Sequence, residues 1–303
     1  MNFDLTEDQV ALRDGIRSLL DGKFPMSRVR EGFDRGMFDE LTAAGVFSLR
    51  GDGFGWADAA VVYEELGRAL VPGPLVWTFG TDAITGGVEA RNEPGAVVEH
   101  LSVLDALLVV SDRGIDRLDP ATLGGEPVDW PLDPLTPVTR LDRLPEGERV
   151  GDVADAVALR GRGALLTAAY CVGMADALTG LAVEYAKERR QFDRPIGSFQ
   201  AVKHLCADMA VRLEVARAAT YAAACVLDDP SAGDAGRALS AAKLLAGEAA
   251  IANGRSATQV YGGMGFTWEV DVHLYLKRAW VLATLFGTVD AHADAVAQRL
   301  PHR

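Results

Sequence analysis

An arginine and a phenylalanine three residues apart carry the clearest chemistry in this sequence. Arg189 can present a guanidinium to a phosphate group, and Phe192 can place an apolar ring beside the same ligand. Side chains three apart on an α-helix are neighbours, so we expect both to project from one helical face. The alternative interpretation is an arginine in solvent and a phenylalanine in the core. Taken alone, the two residues favour this alternative, and a binding site for a phosphate-bearing cofactor stays a hypothesis at this point.

A pair of glycines after a long Ala-rich stretch forms a second candidate binding segment. Gly262 and Gly263 follow Gln259, Val260 and Tyr261, and paired glycines allow a ligand to approach the backbone closely. A helix C-cap alone needs only one glycine, so ligand binding is favoured over simple capping. No strand precedes these glycines, which argues against the glycine-rich loop of a dinucleotide-binding βαβ unit.

Composition and charge argue against several other kinds of function. The chain has 30 Lys plus Arg against 43 Asp plus Glu, a net charge of −13, and no basic patch interleaved with aromatic residues. Binding to nucleic acid is therefore not expected, although a local basic site can still take an anionic small molecule. The five histidines are scattered without a ligand pair, so no metal site is expected. No run of about 18 apolar residues is present, so no membrane span is expected.

Cysteine usage and the first residues indicate a cytoplasmic location. Cys171, Cys206 and Cys225 are an odd set in Ala-rich surroundings, which is typical of free thiols and not of a disulfide framework. The stretch Met1–Asp4 lacks the basic, apolar and small-residue order of a secretory signal. We therefore expect the chain to reside in a reducing cytoplasm.

Hydrophobic periodicity predicts helices towards both ends of the chain. Thr6 and Gln9 have the spacing of a capping box, and further helices are predicted over Met37–Ala44 and Ala57–Leu70. Beyond Asp155 the pattern is again helical and suits an antiparallel bundle. Helices are predicted there over Gly236–Tyr261 and Val270–Leu285 and from Val289 onward, and one apolar stripe consists of Val202, Leu205, Cys206, Met209, Leu213 and Ala216.

The middle of the chain has a different, β-compatible pattern. Val97–Val98, Ala106–Val110 and Val138–Leu144 are apolar runs that Asp, Gly and Pro clusters separate, and they indicate roughly four to six short strands. We predict a mainly α protein with a small β region. Its predicted parts are an N-terminal helical domain over 1–90, a reduced β region over 91–154 and a C-terminal four-helix-bundle domain over 155–303.

Five segments, in order and at similar spacing, resemble those of the acyl-CoA dehydrogenase family. Glu188–Gln200 is similar to the family pattern Arg-x-x-Phe-Gly-x-Pro-Ile-x-x-Phe-Gln, and Gln259–Phe266 is similar to Gln-x-x-Gly-Gly-x-Gly-(Phe/Tyr). Leu285–Thr288 stands where the family has Glu-Gly-Thr, and Leu5–Gln9 and Glu64–Arg68 match its N-terminal helices. The resemblance covers most of the chain except the middle. It implies N-terminal helices, a middle β-domain and a C-terminal antiparallel bundle.

The resemblance implies FAD as the cofactor and assigns residues to it. In the family the arginine contacts the flavin pyrophosphate and the phenylalanine packs on the cofactor. The glutamine, the residue after it and the second glycine approach the adenosine part of an FAD that a neighbouring subunit chiefly binds. The residues that the resemblance assigns to FAD are Arg189, Phe192, Gln259, Val260, Gly263 and Thr288. Asp193 departs from the family glycine and places an acid close to the phosphate-binding arginine.

The catalytic base of the family is missing from its usual positions. Family members remove a proton α to the thioester carbonyl with a carboxylate that commonly precedes Gly-Thr, while a hydride leaves the β carbon for the flavin. Phe286 stands at that position here, and a phenyl ring cannot take a proton. A second position used by some members falls at or near Gly163, which has no carboxylate beside it. Asp290 and Glu269 are weak substitutes, so no catalytic residue is assigned in this chain.

These departures imply a subunit that needs a partner. The middle is too short for a complete β-domain around the flavin ring. Trp268–Arg278 resembles a subgroup of actinobacterial acyl-CoA dehydrogenases, including steroid-degrading types built from two different subunits. We expect an α2β2 complex with a paralogous subunit that supplies the base, an acyl-CoA substrate and electron-transfer flavoprotein as acceptor. Two other hypotheses stay open: a scaffolding subunit without flavin, and a self-sufficient flavoenzyme with an unrecognised base.

The run Trp268–Arg278 also has a purely structural interpretation. It suits an amphipathic helix with Leu274 and Leu276 near the core. His273 and Lys277 would then pair on the helix surface. We therefore expect a structural role for His273.

Overall fold

The described chain, residues 5–90 and 95–300, is mostly helical, and the computed structural model confirms a mainly α protein with a small β region. The helices are α1 (Glu7–Lys23), α2 (Met26–Val29), α3 (Arg35–Ala43), α4 (Trp56–Arg68), α5 (Leu75–Thr78), α6 (Val153–Glu188), α7 (Gln200–Asp228), α8 (Ala235–Tyr261), α9 (Val272–Leu282) and α10 (Val289–Gln298). The strands are β1 (Thr85–Glu89), β2 (Ala96–Glu99), β3 (Ala106–Ser111), β4 (Gly114–Leu118), β5 (Glu126–Pro127), β6 (Val138–Leu141), β7 (Glu148–Gly151), β8 (Arg190–Gln191) and β9 (Arg194–Pro195). The stretch Met1–Asp4 lies outside the described residues.

Side-chain caps fix where several helices begin. Thr6 accepts a hydrogen bond from the backbone N–H of Gln9, and the Gln9 side chain accepts one from the Thr6 N–H. This reciprocal pair confirms the predicted capping box of α1. Asp34 and Asp234 cap α3 and α8 through their carboxylates.

Two helices depart from the sequence prediction, α7 in the burial of its first turns and α9 in where it ends. The apolar stripe of α7 is buried only in its later part, because Val202, Leu205 and Cys206 lie in the partly exposed first turns. Helix α9 ends at Leu282, before the predicted Leu285. The chain leaves the helix there and reaches a left-handed conformation at Phe286.

The described residues fall into two compact units. The helical unit contains the described residues of Met1–Pro25, Trp56–Leu70 and Ala164–Arg303. The sheet unit contains those of Met26–Gly55 and Val71–Gly163. The three consecutive domains predicted from the sequence stay a prediction, and the two units are each assembled from separate stretches of chain.

The sheet unit has two small sheets. The first has strand order β1-β3-β4-β7, with β1 parallel to β3 and the other pairs antiparallel. The second is antiparallel, with order β2-β6-β5. Because side chains alternate between the two faces of a strand, one face of each can enter a shared core. That core contains Val88, Val98, Leu107, Val109, Leu118 and Leu141.

In the helical unit, α4 and α6 pack with their backbones in direct contact. A methyl group on Gly67 would overlap the backbone of Tyr170, and one on Gly173 would overlap the backbone of Glu64. The two glycines therefore allow an approach that no other residue permits. The Gly67 of the family-like segment Glu64–Arg68 thus has a packing role.

The acidic residues of that segment form a buried polar network. Glu64 accepts hydrogen bonds from the Tyr221 hydroxyl at 2.9 Å and from Arg217 at 3.0 Å, which ties α4 to α7. Glu65 pairs with Arg17 of α1 and with Arg68. Burial raises the pKa of Glu64, and the two donors act in the opposite direction. Each carboxylate thus has donors that offset its desolvation.

Helix α6 is long and apolar enough, by length and composition, to cross a membrane. In the structure, 67% of the most apolar 18-residue stretch of this helix is buried inside the protein. A helix apolar on all sides and packed in this way is typical of a bundle core.

The glycine crossing leads to a stability prediction. We expect Gly173→Ala to lower the free energy of unfolding by about 3 kcal/mol, because the added methyl group forces α4 and α6 apart. Gly180→Ala is the matched control, since Gly180 lies on the same helix with open space around it. That control should be neutral or stabilise by up to about 1 kcal/mol, as alanine favours helix over glycine. Urea denaturation of both variants measures the difference, and equal stabilities would contradict the close packing.

Candidate cofactor site

A two-residue hairpin presents the first candidate segment. Helix α6 ends at Glu188, and β8 pairs with β9 in an antiparallel arrangement. Phe192 and Asp193 form the turn between them, with φ values of 52° and 61°. The expectation that Arg189 and Phe192 share a helical face is therefore wrong. The helix has already ended, and a turn with two positive φ values matches the twist of short hairpins.

The turn explains the departure at Asp193. Two-residue hairpin turns of this type favour glycine, asparagine or aspartate, because their central residues have positive φ. Asp193 adopts this conformation at φ 61°, and its carbonyl accepts a hydrogen bond from Arg190 at 2.6 Å. The aspartate therefore keeps the hairpin that a glycine would form.

Hydrogen bonds hold the backbone of Arg189, whereas its side chain is exposed and can bind a ligand. Its N–H donates to Tyr185 O, and its carbonyl accepts from the N–H of Ile196, each at 2.8 Å. The guanidinium is exposed, and no residue in the described part of the chain forms an ion pair or hydrogen bond with it. The ring of Phe192 is 85% exposed. A free cation and an uncovered aromatic ring thus lie in one short segment.

The second candidate segment ends α8 with an open backbone. Gly262 has φ 61°, and its N–H donates to Gln259 O, as in a C-cap. Gly262 and Gly263 are both exposed, and no atom lies within 4 Å of where a side chain would begin on either. Gln259 is exposed, but Val260 is buried, so the Val260 side chain belongs to the core. The glycine pair therefore both caps the helix and leaves room for a ligand.

Two tyrosines join these segments. Tyr185 lies one helical turn before Arg189, and Tyr261 ends α8, two residues after Gln259. Their rings stack with centroids 4.0 Å apart and planes at 13°. Two of the sequence-predicted segments are thereby brought together at one end of the helical unit.

The remaining predicted residues lie on either side of α9, most of them at the start of α10. Thr288 is the N-cap of α10 and accepts a hydrogen bond from the N–H of Ala291 at 3.2 Å. Asp290 is exposed in the first helical turn, where the helix dipole favours negative charge. Glu269 is exposed in the bend before α9. Phe286 is 5% exposed, so the usual base position holds a buried ring.

A buried lysine holds this turn, and sequence reasoning missed it. The Lys243 ammonium of α8 is 2% exposed and donates to the carbonyls of Leu282 at 3.0 Å and of Ala283 and Gly287 at 3.4 Å. Burial lowers its pKa. The available signal was its spacing of three and seven residues from the buried Ala246 and Ala250, which places a lysine on an apolar helical face.

A histidine adds to the polar contacts of the turn. A ring nitrogen of His292, Nε2, lies 3.0 Å from the carbonyl oxygen of Phe286. Burial lowers the His292 pKa, which favours the neutral ring. A cation and an imidazole thus both contact backbone carbonyls of the Phe286 turn. In the described part of the chain, no group of three or more His, Cys, Asp or Glu residues is arranged to hold a metal ion.

The structural role expected for His273 needs one correction. His273 is buried and contacts the edge of the Trp268 ring, with centroids 5.0 Å apart. The Lys277 ammonium lies over the Trp268 ring, 5.2 Å from its centroid. The expected pairing of His273 and Lys277 on the helix surface is therefore wrong, because His273 is buried. Leu274 and Leu276 are buried as predicted.

Comparison with known proteins agrees with this architecture. The family pattern "Acyl-CoA dehydrogenase, C-terminal domain" matches residues 157–300. The chain is 35% identical over 299 residues to "Acyl-CoA dehydrogenase IpdE2" of Mycobacterium tuberculosis, covering 90% of this chain and 91% of that protein. The chain therefore belongs to the acyl-CoA dehydrogenase family. The family predicted from the sequence is confirmed, as is its oxidoreductase class.

Solved structures share the fold at low identity. A chain of the ChsE4–ChsE5 complex from Mycobacterium tuberculosis matches with a TM-score of 0.83 and 23% identity, covering 100% of each chain. A glutaryl-CoA dehydrogenase from Mycobacterium smegmatis in complex with FADH2 matches with a TM-score of 0.79 and 17% identity, covering 97% of this chain and 94% of that one. The predicted fold is confirmed. FAD is the cofactor of the family, so that prediction is confirmed at the level of the family.

The exposed groups of the two candidate segments suit one part of a flavin dinucleotide. The exposed guanidinium of Arg189 suits a pyrophosphate, since arginine binds phosphate oxygens through charge-assisted hydrogen bonds. The exposed Phe192 ring offers apolar cover, and the open backbone at Gly262 and Gly263 leaves room for close approach. These groups lie on exposed segments of the helical unit. They would contact only one part of such a cofactor.

The buried ring at the usual base position leads to a stability prediction. We expect Phe286→Glu to lower the free energy of unfolding by at least about 3 kcal/mol, because it removes a buried ring and buries a carboxyl group. Phe286→Leu is the control, and it should cost about 1 kcal/mol because it keeps an apolar side chain in the same backbone conformation. Thermal and urea unfolding of both variants measure this. A fully stable Phe286→Glu variant would show that the site accepts a carboxylate.

Proposed function

We propose that this chain is one subunit of an FAD-dependent acyl-CoA dehydrogenase and contributes half of a shared flavin site. The proposed reaction is the α,β-desaturation of an acyl-CoA thioester. The observation that carries the proposal is the contrast within the helical unit. Arg189, Phe192 and Gly263 are exposed for a cofactor, whereas the base position is a buried Phe286. A chain of this kind can bind cofactor but needs its proton acceptor from elsewhere.

The residues of this chain bind and orient in the proposed site. Arg189 would neutralise the pyrophosphate, and the side-chain amide of Gln259 is free for a polar contact. Phe192 would exclude water from the cofactor. Bound FAD would supply the hydride acceptor that the desaturation requires. Thr288 is engaged as a helix cap through its hydroxyl, which leaves its predicted cofactor contact as a proposal.

The proton from the α carbon needs a carboxylate that a paralogous partner would supply. Phe286 cannot accept a proton, and Asp290 and Glu269 lie in exposed positions that a helix start and a surface bend already explain. A partner with an intact Glu-Gly-Thr segment would place the base within hydrogen-bond reach of that proton. Two-chain assembly agrees with the name of the ChsE4–ChsE5 complex, whose fold this chain shares. An α2β2 stoichiometry, electron-transfer flavoprotein as acceptor and a cytoplasmic location are parts of the same proposal.

Flavin absorbance separates the proposal from its alternatives. We expect the purified chain alone to be colourless, and the complex obtained by coexpression with a paralogous subunit to carry FAD. The reason is that the exposed groups of this chain contact only part of the cofactor. Absence of flavin in the coexpressed complex would indicate a scaffolding subunit. Full flavin loading of this chain alone would indicate a self-sufficient flavoenzyme.

A mutation of the partner tests the origin of the base. Replacing the glutamate before Gly-Thr in the partner should abolish acyl-CoA-dependent flavin reduction in the complex, because the proton then has no acceptor. Phe286→Glu should add no activity to this chain alone. Flavin reduction by acyl-CoA in that single-chain variant would overturn the assignment.

The role of Arg189 is tested by charge removal. We expect Arg189→Ala to leave assembly intact and to weaken FAD binding by about 1.5–3 kcal/mol, roughly 10- to 100-fold, because a charge-assisted contact to phosphate is lost. Arg237→Ala is the matched control, since it removes the same charge from an exposed position at the other end of α8. Equilibrium dialysis of FAD with the assembled complexes gives both values. Equal FAD affinity of the two variants would remove Arg189 from the site.

A further inference from the structure

A stack of two tyrosines joins the helix ends that precede the two candidate cofactor segments. Tyr185 is part of α6, and the N–H of Arg189 donates to its carbonyl at 2.8 Å. Tyr261 is the last residue of α8, and Gly262 directly follows it. Each ring is thus attached to a backbone that continues into an exposed binding segment. The rings are nearly parallel and 4.0 Å apart.

A second contact gives the stack a defined geometry. The Tyr261 hydroxyl donates to the carbonyl of Leu181 at 3.3 Å, one helical turn before Tyr185. The C-terminal end of α8 is therefore fastened to α6 by both the ring and the hydroxyl of one side chain. Both tyrosines are only partly buried, so the stack lies at the end of the helices and not in the middle of the core.

We propose that the stack of Tyr185 on Tyr261 is the positioning element that sets the spacing between Arg189 and the Gln259–Gly263 segment for one cofactor. The proposal rests on the proposed function, because it assumes that both segments bind FAD. Two groups that meet one ligand bind it best when their separation is fixed beforehand. Without the stack, the hairpin and the end of α8 can move apart, and a single FAD can no longer satisfy both.

The test uses the coexpressed complex in its FAD-free form, with FAD as the probe. Tyr261→Leu removes the stack and keeps an apolar side chain, whereas Tyr261→Phe keeps the ring and removes only the hydroxyl. We expect Tyr261→Leu to raise the FAD dissociation constant roughly 3- to 10-fold, the range expected for one lost aromatic contact, and Tyr261→Phe to change it by less than about twofold. Equal losses in both variants would assign the effect to the hydroxyl and overturn the role of the stack.

A double-mutant cycle separates positioning from general stability. If the stack aligns Arg189, then Arg189→Ala should weaken FAD binding less in the Tyr261→Leu background than in the wild-type background. Additive losses would show that the two residues act independently and would contradict the inference. Urea denaturation of the FAD-free complexes provides a readout that does not depend on the cofactor. Tyr261→Leu should remain folded at the assay temperature, and Tyr185→Leu should reproduce its FAD dissociation constant.

Failure of the two proposals can be distinguished. If Arg189→Ala and the wild-type complex bind FAD equally well, the proposed cofactor role fails. If Arg189→Ala weakens binding but Tyr261→Leu does not, only the inference about the stack fails.

Discussion

The direct backbone contact between α4 and α6 is the constraint on which the helical unit depends. It requires that Gly67 and Gly173 lack side chains, and beside it Glu65 is buried and Glu64 largely so. These two carboxylates need charged or polar donors, and the donors come from α1, α4 and α7. Close packing of one helix pair thus determines where its neighbours must lie. The same helix, α6, leads at its C-terminal end into Arg189 and the hairpin.

Much of the fold could be predicted from local sequence, because caps and apolar periodicity act over a few residues. The Thr6 and Gln9 pair and the start of α10 at Val289 are examples. The hairpin could not be predicted in this way. Asp193 suits a two-residue turn, but Phe192 at the other central position does not, and the helical spacing of Arg189 and Phe192 favoured a helix instead.

The candidate site was predictable as a set of residues but not as an arrangement. The resemblance supplied Arg189 and Gln259, yet the tyrosine stack that joins their segments lies between the ends of two helices that are far apart in the sequence. Lys243 was missed for a related reason. A single lysine in an Ala-rich helix gives no local sign that three carbonyl groups of a distant turn will accept hydrogen bonds from its ammonium.

The exposed hairpin turn has a consequence for the solubility of the chain on its own. Phe192 and Phe266, which are 85% and 78% exposed, stand on segments next to the same tyrosine stack. Exposed aromatic rings promote association with whatever apolar surface is nearby. Under the proposed two-subunit assembly, chain made in excess over the partner would keep both rings uncovered and would tend to self-associate. Balanced synthesis of the two subunits, such as translation from one messenger RNA, would limit that loss.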